Sequence, residues 1–361
     1  MRQIARAYRQ IDVKVEVACL DDPGAEFLRD IDFPLHALGP GRGGFSFSWK
    51  LRQWLRQNVD RFDAVVTHGI WSWPGLAVRS AAREAGKPYG VFPHGALDPW
   101  FNRKYPRKHL KKLIYWPVQY RMLRDARYVF FTSESERDLA ATSFRPSAWN
   151  SLVVPYGSSE PSSTAEAQLA AWFQQSPGLR GRPYLLFLGR LHEKKGCDLL
   201  LRAFATAASS APELHLVMAG PDQLGWQATL QQMAASLGIG DRVHWPGMVT
   251  GDAKWGALRA AEAFVLPSHQ ENFGIVVAES LAVGRPVLIS NQVNIWPEVQ
   301  EEAVGLVDDD TQEGTERLLR HWLELSAAEK EAIAARCYPC YLRRYSPVGT
   351  ARALRDAFQK A

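Results

Sequence analysis

Ala263-Phe-Val-Leu-Pro267-Ser-His-Gln-Glu271-Asn-Phe-Gly274-Ile-Val-Val-Ala-Glu279-Ser280 decides how this chain is read. The apolar run Ala263 to Leu266 is short enough for a buried strand, and Ile275 to Val283 is apolar at helical spacing. The segment therefore predicts strand, tight loop, helix. Glu271 falls on the loop and Glu279 on the first turns of the helix. Gly274 lets backbone come close to a ligand, and the free N–H groups of a new helix attract an anion. Two carboxylates flanking an anion site suit a ligand with hydroxyls at both ends and phosphate between. An acid favoured by the helix dipole plus an exposed helix Glu would be the better explanation of the pair if it stood alone.

Outward from this segment, short apolar runs alternate with helical patterns, which predicts an α/β protein with mostly parallel sheets. The first-half strand candidates are Val13–Ala18, Ala64–Thr67, Tyr89–Phe92, Tyr128–Thr132 and Leu152–Val154. Those of the second half are Tyr184–Leu188, Leu214–Ala219, Val243–Trp245, Ala263–Leu266 and Pro286–Ile289. Gly157-Ser-Ser-Glu-Pro-Ser-Ser-Thr164 has linker composition. The expected organisation is residues 1–156 as one doubly wound domain, 157–183 as linker, 184–345 as a second domain, and 346–361 as a helix packing back on the first. The two domains are expected to face each other across a cleft, with ligands at the carboxyl ends of the strands.

Three strand-end loops carry further candidates. In Gly189-Arg190-Leu-His-Glu-Lys-Lys195-Gly196, Gly189 permits a turn, and Arg190 and Lys195 can converge on one anion. Arg offers a bidentate fork for phosphate and Lys a point charge. An ordinary basic loop is the competing explanation. Phe92-Pro-His94-Gly95-Ala-Leu-Asp98-Pro99 sets His94 in a tight loop after a strand, while Asp98 before proline suits a helix or turn cap. His68-Gly69 follows another strand. Ala219-Gly220-Pro-Asp222 and Trp245-Pro-Gly-Met248-Val249 are turns able to hold a base between backbone groups, although most such turns are only turns.

The bulk numbers exclude some classes. The 361 residues allow two cores. With 46% hydrophobic and 22% charged residues the composition is that of a globular protein. No apolar run approaches a membrane span, and Met1-Arg-Gln-Ile-Ala-Arg6 lacks the core and cleavage site of a secretory leader. Four cysteines suggest a reducing compartment, and the lone Cys337-x-x-Cys340 is weak for zinc. Asp308-Asp-Asp310 reads as a solvated loop, so no metal site is expected. The net charge of +5 is uneven. Residues 102–124 hold eight Lys or Arg, no acid, and Tyr105, Tyr115, Trp116 and Tyr120. That mixture suits an anionic membrane surface. A solvated basic helix face is the plain alternative, and no nucleic-acid motif supports a third.

In this order, the Gly-Arg…Lys-Gly loop, the Glu-x7-Glu segment and the strand-end His resemble the retaining glycosyltransferases of family 4, of GT-B fold and bacterial surface-polysaccharide type. The resemblance covers nearly the whole chain. It implies that Arg190 and Lys195 bind the donor diphosphate and that Glu271 contacts the transferred sugar. It implies that Phe273, Gly274 and Ile275 offer backbone to sugar or phosphate, and that Glu279 takes the ribose hydroxyls. Gly189, Gly220, Met248 and Val249 would line the donor site, His94 the sugar, and His68 and Asp98 the acceptor side. No cofactor or metal is implied. The partners are a nucleoside diphosphate sugar and a saccharide or lipid-linked acceptor, in the cytoplasm or on the inner membrane face. The family opens with a strand and a glycine-rich loop, whereas this sequence opens with the helical pattern Ile4–Ile11, so an upstream strand is expected to be missing. A sugar-nucleotide epimerase of the same architecture, and a truncated non-catalytic binding form, are the alternatives.

Overall fold

The computed structural model describes residues 2–207 and 209–359. It divides into two units, Met1–Gly157 with Pro347–Ala361, and Ser158–Ser346. All ladders between the named strands are parallel, as the alternation of short apolar runs and helices predicts.

In unit 1 the strands are β1 (Val17–Cys19), β2 (Leu35–Ala37), β3 (Val65–His68), β4 (Tyr89–Phe92), β5 (Tyr128–Phe131) and β6 (Ser151–Val153). β1 pairs with β2 in a sheet of its own, and β3-β4-β5-β6 form a second. The single sheet expected of this half is thus two. Of the expected strand Val13–Ala18 only Val17 and Ala18 fall in β1, and β2 was not foreseen. One core packs helix Trp73–Glu84 on the four-stranded sheet through Val78, Ala81 and Ala82. On the other side Ile4, Phe92, Phe130 and Val154 meet Leu354 and Ala357. The last two belong to helix Pro347–Gln359, whose Thr350 hydroxyl donates to the Pro155 carbonyl at 2.7 Å. Chain end and chain start therefore share one core.

In unit 2 the strands are β7 (Tyr184–Leu188), β8 (His215–Ala219), β9 (Val243–Gly247), β10 (Ala263–Leu266), β11 (Val287–Ser290) and β12 (Gly305–Asp308). Their spatial order is β12-β11-β10-β7-β8-β9. From β7 the chain builds outward one way to β9, then returns and builds the other way from β10. The reversal makes a switch point between β7 and β10, where the loops leaving the carboxyl ends part and leave room for a ligand.

Residues 157–183 are not a linker. Helix Ala165–Gln175 occupies their middle, capped by Thr164, whose hydroxyl accepts from the Ala167 N–H at 3.3 Å. It packs on helix Gly251–Ala260 and buries Trp172 completely. Gly256 makes this possible, since a Cβ there would collide with the Gln168 carbonyl oxygen. The linker composition is confined to the Ser/Pro-rich stretch 157–164, whereas Ala165–Gln175 is rich in Ala, Leu, Trp and Phe. Trp172→Ala would cost about 3–5 kcal/mol by the usual cavity scale.

Candidate functional site

The two loops at the switch point of unit 2 carry the charged candidates. After β7 come Gly189, Arg190 and a short 3-10 turn, Glu193–Lys195. After β10 the chain runs through Ser268 to Gly274, which opens helix Ile275–Ala282 in a left-handed conformation (φ 71°). The loops are tied together, since the His269 N–H donates to the Lys194 carbonyl at 2.9 Å. Across that tie the Lys195 ammonium donates to Glu271 Oε2. Burial first, then the Lys194 and Arg190 cations, pull Lys195 down to about 8. The touching carboxylate opposes this and favours the charged form. Arg190 stands exposed beside them and makes no ion pair among the described residues.

Glu271 is fixed from behind as well. Its N–H donates to the Gln292 carbonyl at 3.0 Å, and its carbonyl accepts from the Asn294 N–H at 3.0 Å. Backbone is therefore immobilised on both sides of the carboxylate. Glu279 is not the exposed helix acid considered from sequence. It is 6% exposed and accepts from Lys254 Nζ at 2.6 Å. Lys254 in turn lies 4.4 Å from the centre of the Trp255 ring. Phe273 is buried against Tyr345, whereas Ile275 is 37% exposed at the helix start.

Gly189 lies at the bend that ends β7. A Cβ there meets only ordinary contacts, whereas at Gly220 (φ 141°) it would overlap the Gly189 carbonyl oxygen. The close approach of these two strand ends thus constrains Gly220. Met248 is exposed and Val249 buried in the turn after β9. Asp222 accepts from the Trp226 N–H at 2.8 Å and the Gln227 N–H at 3.1 Å, so it organises its own loop.

Unit 1 brings His68 and His94 together. His68 ends β3 opposite Phe92, and His94 follows β4 with a positive φ of 51°. His68 Nδ1 and His94 Nε2 are 2.8 Å apart, and the rings stack with Phe92. Burial, then the neighbouring His94, pull His68 down to about 3. His94 keeps an exposed edge, and desolvation draws it the same way, to about 4. At neutral pH both rings are uncharged and share one proton across the contact. Asp98 caps helix Pro99–Lys104, its carboxylate accepting from the Trp100 N–H at 2.8 Å.

Sequence reasoning missed Glu136, 4% exposed. It accepts from the Gly95 N–H at 2.6 Å, the Thr132 N–H at 2.7 Å and the Thr132 hydroxyl at 2.6 Å. The signal was Ser133-x-x-Glu136 after β5, a capping-box spacing. Ser133 does cap, accepting from the Glu136 N–H at 3.1 Å, but the Glu reaches across to the His94 loop. Lys254, partner of Glu279, left no local signal. Among the described residues no group of His, Cys, Asp and Glu could hold a metal ion, and no helix is long and apolar enough to cross a membrane.

Residues 170–336 match the family described as glycosyl transferases group 1, and residues 1–157 match the glycosyl transferase 4-like domain. The chain is 32% identical over 186 residues to the D-inositol 3-phosphate glycosyltransferase of Saccharomonospora viridis, covering 49% of this chain and 42% of that protein. It thus spans less than half the length of that relative. Over 303 residues it is 25% identical to the mannosylfructose-phosphate synthase of Agrobacterium fabrum, covering 78% of this chain and 64% of the relative. Anabaena HepE, solved in complex with UDP-glucose, superposes with a TM-score of 0.76 at 17% identity, covering 100% of this chain and 94% of that one. At that identity the likeness is one of fold.

Proposed function

We propose, from the premise that the chain belongs to the glycosyltransferases of GT-B fold, that it moves a hexose-type sugar from a nucleoside diphosphate sugar to a hydroxyl of a saccharide or lipid-linked acceptor, with retention at the anomeric carbon. The observation that carries this reading is the Lys195–Glu271 pair across the switch point of unit 2, with Arg190 exposed beside it. A cation pair next to a fixed carboxylate fits a ligand that joins a diphosphate to a polyol.

In this reading Arg190 and Lys195 hold the diphosphate and stabilise the charge that grows as the glycosidic bond breaks. Glu271 turns from Lys195 toward the sugar hydroxyls and the positive charge developing at the anomeric carbon. Glu279, oriented by Lys254, receives the ribose hydroxyls. The N–H groups of Ile275 and Val276, at the start of their helix, meet the sugar or phosphate oxygens. Met248 and Val249 flank the base. The anomeric carbon leaves the phosphate oxygen and bonds the acceptor oxygen on the same face. The acceptor proton passes to the departing diphosphate, so no protein base is required. His94, neutral and packed against His68, is the candidate of unit 1 for a sugar hydroxyl. Retention, the hexose donor and a role in surface polysaccharide assembly at the inner membrane face are part of the proposal, as is transfer without a metal.

Isothermal titration with UDP and with GDP tests the donor site. Binding of either, weakened at least tenfold by Arg190→Ala, supports it. If neither binds, or if Arg190→Ala and Glu279→Ala change nothing, the assignment fails. Incubation with donor alone separates the readings, since an epimerase converts the sugar nucleotide without an acceptor. Loss of transfer in EDTA, restored by a divalent cation, would overturn the metal-free step.

A further inference from the structure

Helix Pro106–Arg124 is apolar on two sides. Trp116, Gln119, Met122 and Leu123 face inward and are buried, with Trp116 stacked 4.7 Å from Phe144. On the outer side stand Leu110, Leu113, Ile114 and Val118, which are 63, 43, 76 and 46% exposed. Spacings of three and four make them one stripe along the helix, the pattern by which a helix ordinarily meets a core. Here it meets none. Scattered exposed aliphatics need no account, but a continuous stripe marks an interaction surface.

The stripe continues onto a second element. Tyr115, 57% exposed, lies 6.3 Å from Phe45. Phe47 and Trp49, on the same segment, are also exposed. That segment is held in place rather than loose. Arg42 and Phe47 exchange backbone hydrogen bonds of 2.7 and 2.9 Å, and the Trp73 N–H donates to the Phe45 carbonyl at 2.8 Å. The Phe47 ring rests 4.7 Å from Trp73. Exposed aromatics of this kind are what an interface between water and hydrocarbon favours.

Charge identifies the occupant. Arg103, Lys104, Arg107, Lys108, Lys111 and Arg121 are exposed on this helix and the one before it. No Asp or Glu lies between Pro99 and Arg124. Lys112 is apart from these, turned in over the Trp71 ring at 5.2 Å. A second copy of the same face would set these cations against each other. Nucleic acid would leave the aliphatic stripe without a partner. An anionic bilayer satisfies both halves, with headgroups for the cations and acyl boundary for the stripe.

We propose that the outer face of Pro106–Arg124, together with Phe47 and Trp49, docks this chain on an anionic lipid bilayer. The surface deepens the acceptor side of the proposed function, because a protein seated this way meets acceptors carried by lipid. It does not depend on the donor residues. Flotation of the full chain with phosphatidylcholine vesicles, and with vesicles also containing phosphatidylglycerol, tests it, with UDP titration run on the same preparations.

The expected result is flotation with the phosphatidylglycerol vesicles, falling at least tenfold in the doubly substituted Leu110→Ser, Ile114→Asp protein while its circular dichroism is unchanged. Lys108→Glu with Lys111→Glu weakens the same binding and makes it insensitive to salt. Trp49→Ser, a milder change in the other element, lowers it several-fold. Absence of flotation with anionic vesicles overturns the proposal, as does flotation unaffected by Ile114→Asp. A dimer seen by light scattering and dissolved by Ile114→Asp would also overturn it, as would an oligonucleotide bound through the same lysines. UDP binding without flotation rejects the docking surface alone. Flotation without UDP binding rejects the donor site alone.

Discussion

The loops at the carboxyl ends of the two units' sheets are made of opposite materials. In unit 2 they gather charge, with Lys195 on Glu271, Arg190 exposed alongside, and Lys254 on Glu279. In unit 1 they gather neutral groups, two uncharged imidazoles on an aromatic stack with Glu136 spent on backbone and hydroxyl donors. A polyanionic ligand needs fixed opposite charge, and unit 2 supplies it. Groups that orient a neutral sugar hydroxyl need geometry more than charge, and unit 1 supplies that. The proposed division of donor and acceptor roles rests on this contrast.

The sharpest way to break the contrast is to disrupt one unit alone. Gly220→Ala drives a Cβ into the Gly189 carbonyl at a φ of 141° that alanine resists. The expected loss is about 3–5 kcal/mol, confined to unit 2. Limited proteolysis read by mass spectrometry should show new cuts between Ser158 and Ser346 before any appear elsewhere. A wild-type melting temperature would show that the strand ends can part freely.

Next in size is the charge itself. Lys195→Ala and Arg190→Ala should each lower turnover by about 10²–10³, the usual effect of removing one preorganised donor. His68→Ala should leave UDP affinity within about twofold of wild type, since neutral groups give a diphosphate little. If His68→Ala weakens UDP as much as Arg190→Ala does, the division of labour is wrong.

A third test uses the neutrality of unit 1. His68 is drawn down to about 3 in the folded chain, against about 6.5 when unfolded. Between those values the unfolded state binds the proton and the folded state does not. Stability is therefore complete above pH 6.5 and falls as the pH drops below it. The loss attributable to this ring reaches at most roughly 2 kcal/mol at pH 5, less with solvent screening. Unfolding of the wild type and of His68→Gln, followed from pH 7 to pH 5, should show a shallower decline in the variant. Parallel declines would mean that the ring is not held neutral.

What could be read in advance follows from how local each feature is. Residues 263–282 were legible because strand, glycine break and helix follow one another directly. The same holds for β7 with its Gly-Arg…Lys-Gly loop. β2 and β12 are short and only half-buried; Leu35-His-Ala37 has a polar residue at its centre, and the short run Ala303 to Val307 is interrupted by Gly305. Roles set by distant partners were out of reach. Nothing near Glu279 announces Lys254, 25 residues earlier, and nothing near Gly95, the residue after His94, announces Glu136, 41 residues later on the far side of β5.

Glu136 offers the smallest and most discriminating test. Its carboxylate accepts from three donors, among them the Gly95 N–H directly after His94. Glu136→Gln keeps the shape but turns one acceptor into an NH2 group, which must confront a donor. The expected cost is about 1–2 kcal/mol of stability. If the carboxylate positions His94, turnover should also fall about tenfold (~1.4 kcal/mol) with UDP affinity unchanged, because the damage lies outside the charged loops. Glu136→Asp, which retains the acceptors on a shorter arm, should recover part of the turnover. Equal losses of stability in both variants with wild-type turnover would reduce Glu136 to a fold-holding residue. The neutral half of the contrast would then rest on the two histidines alone.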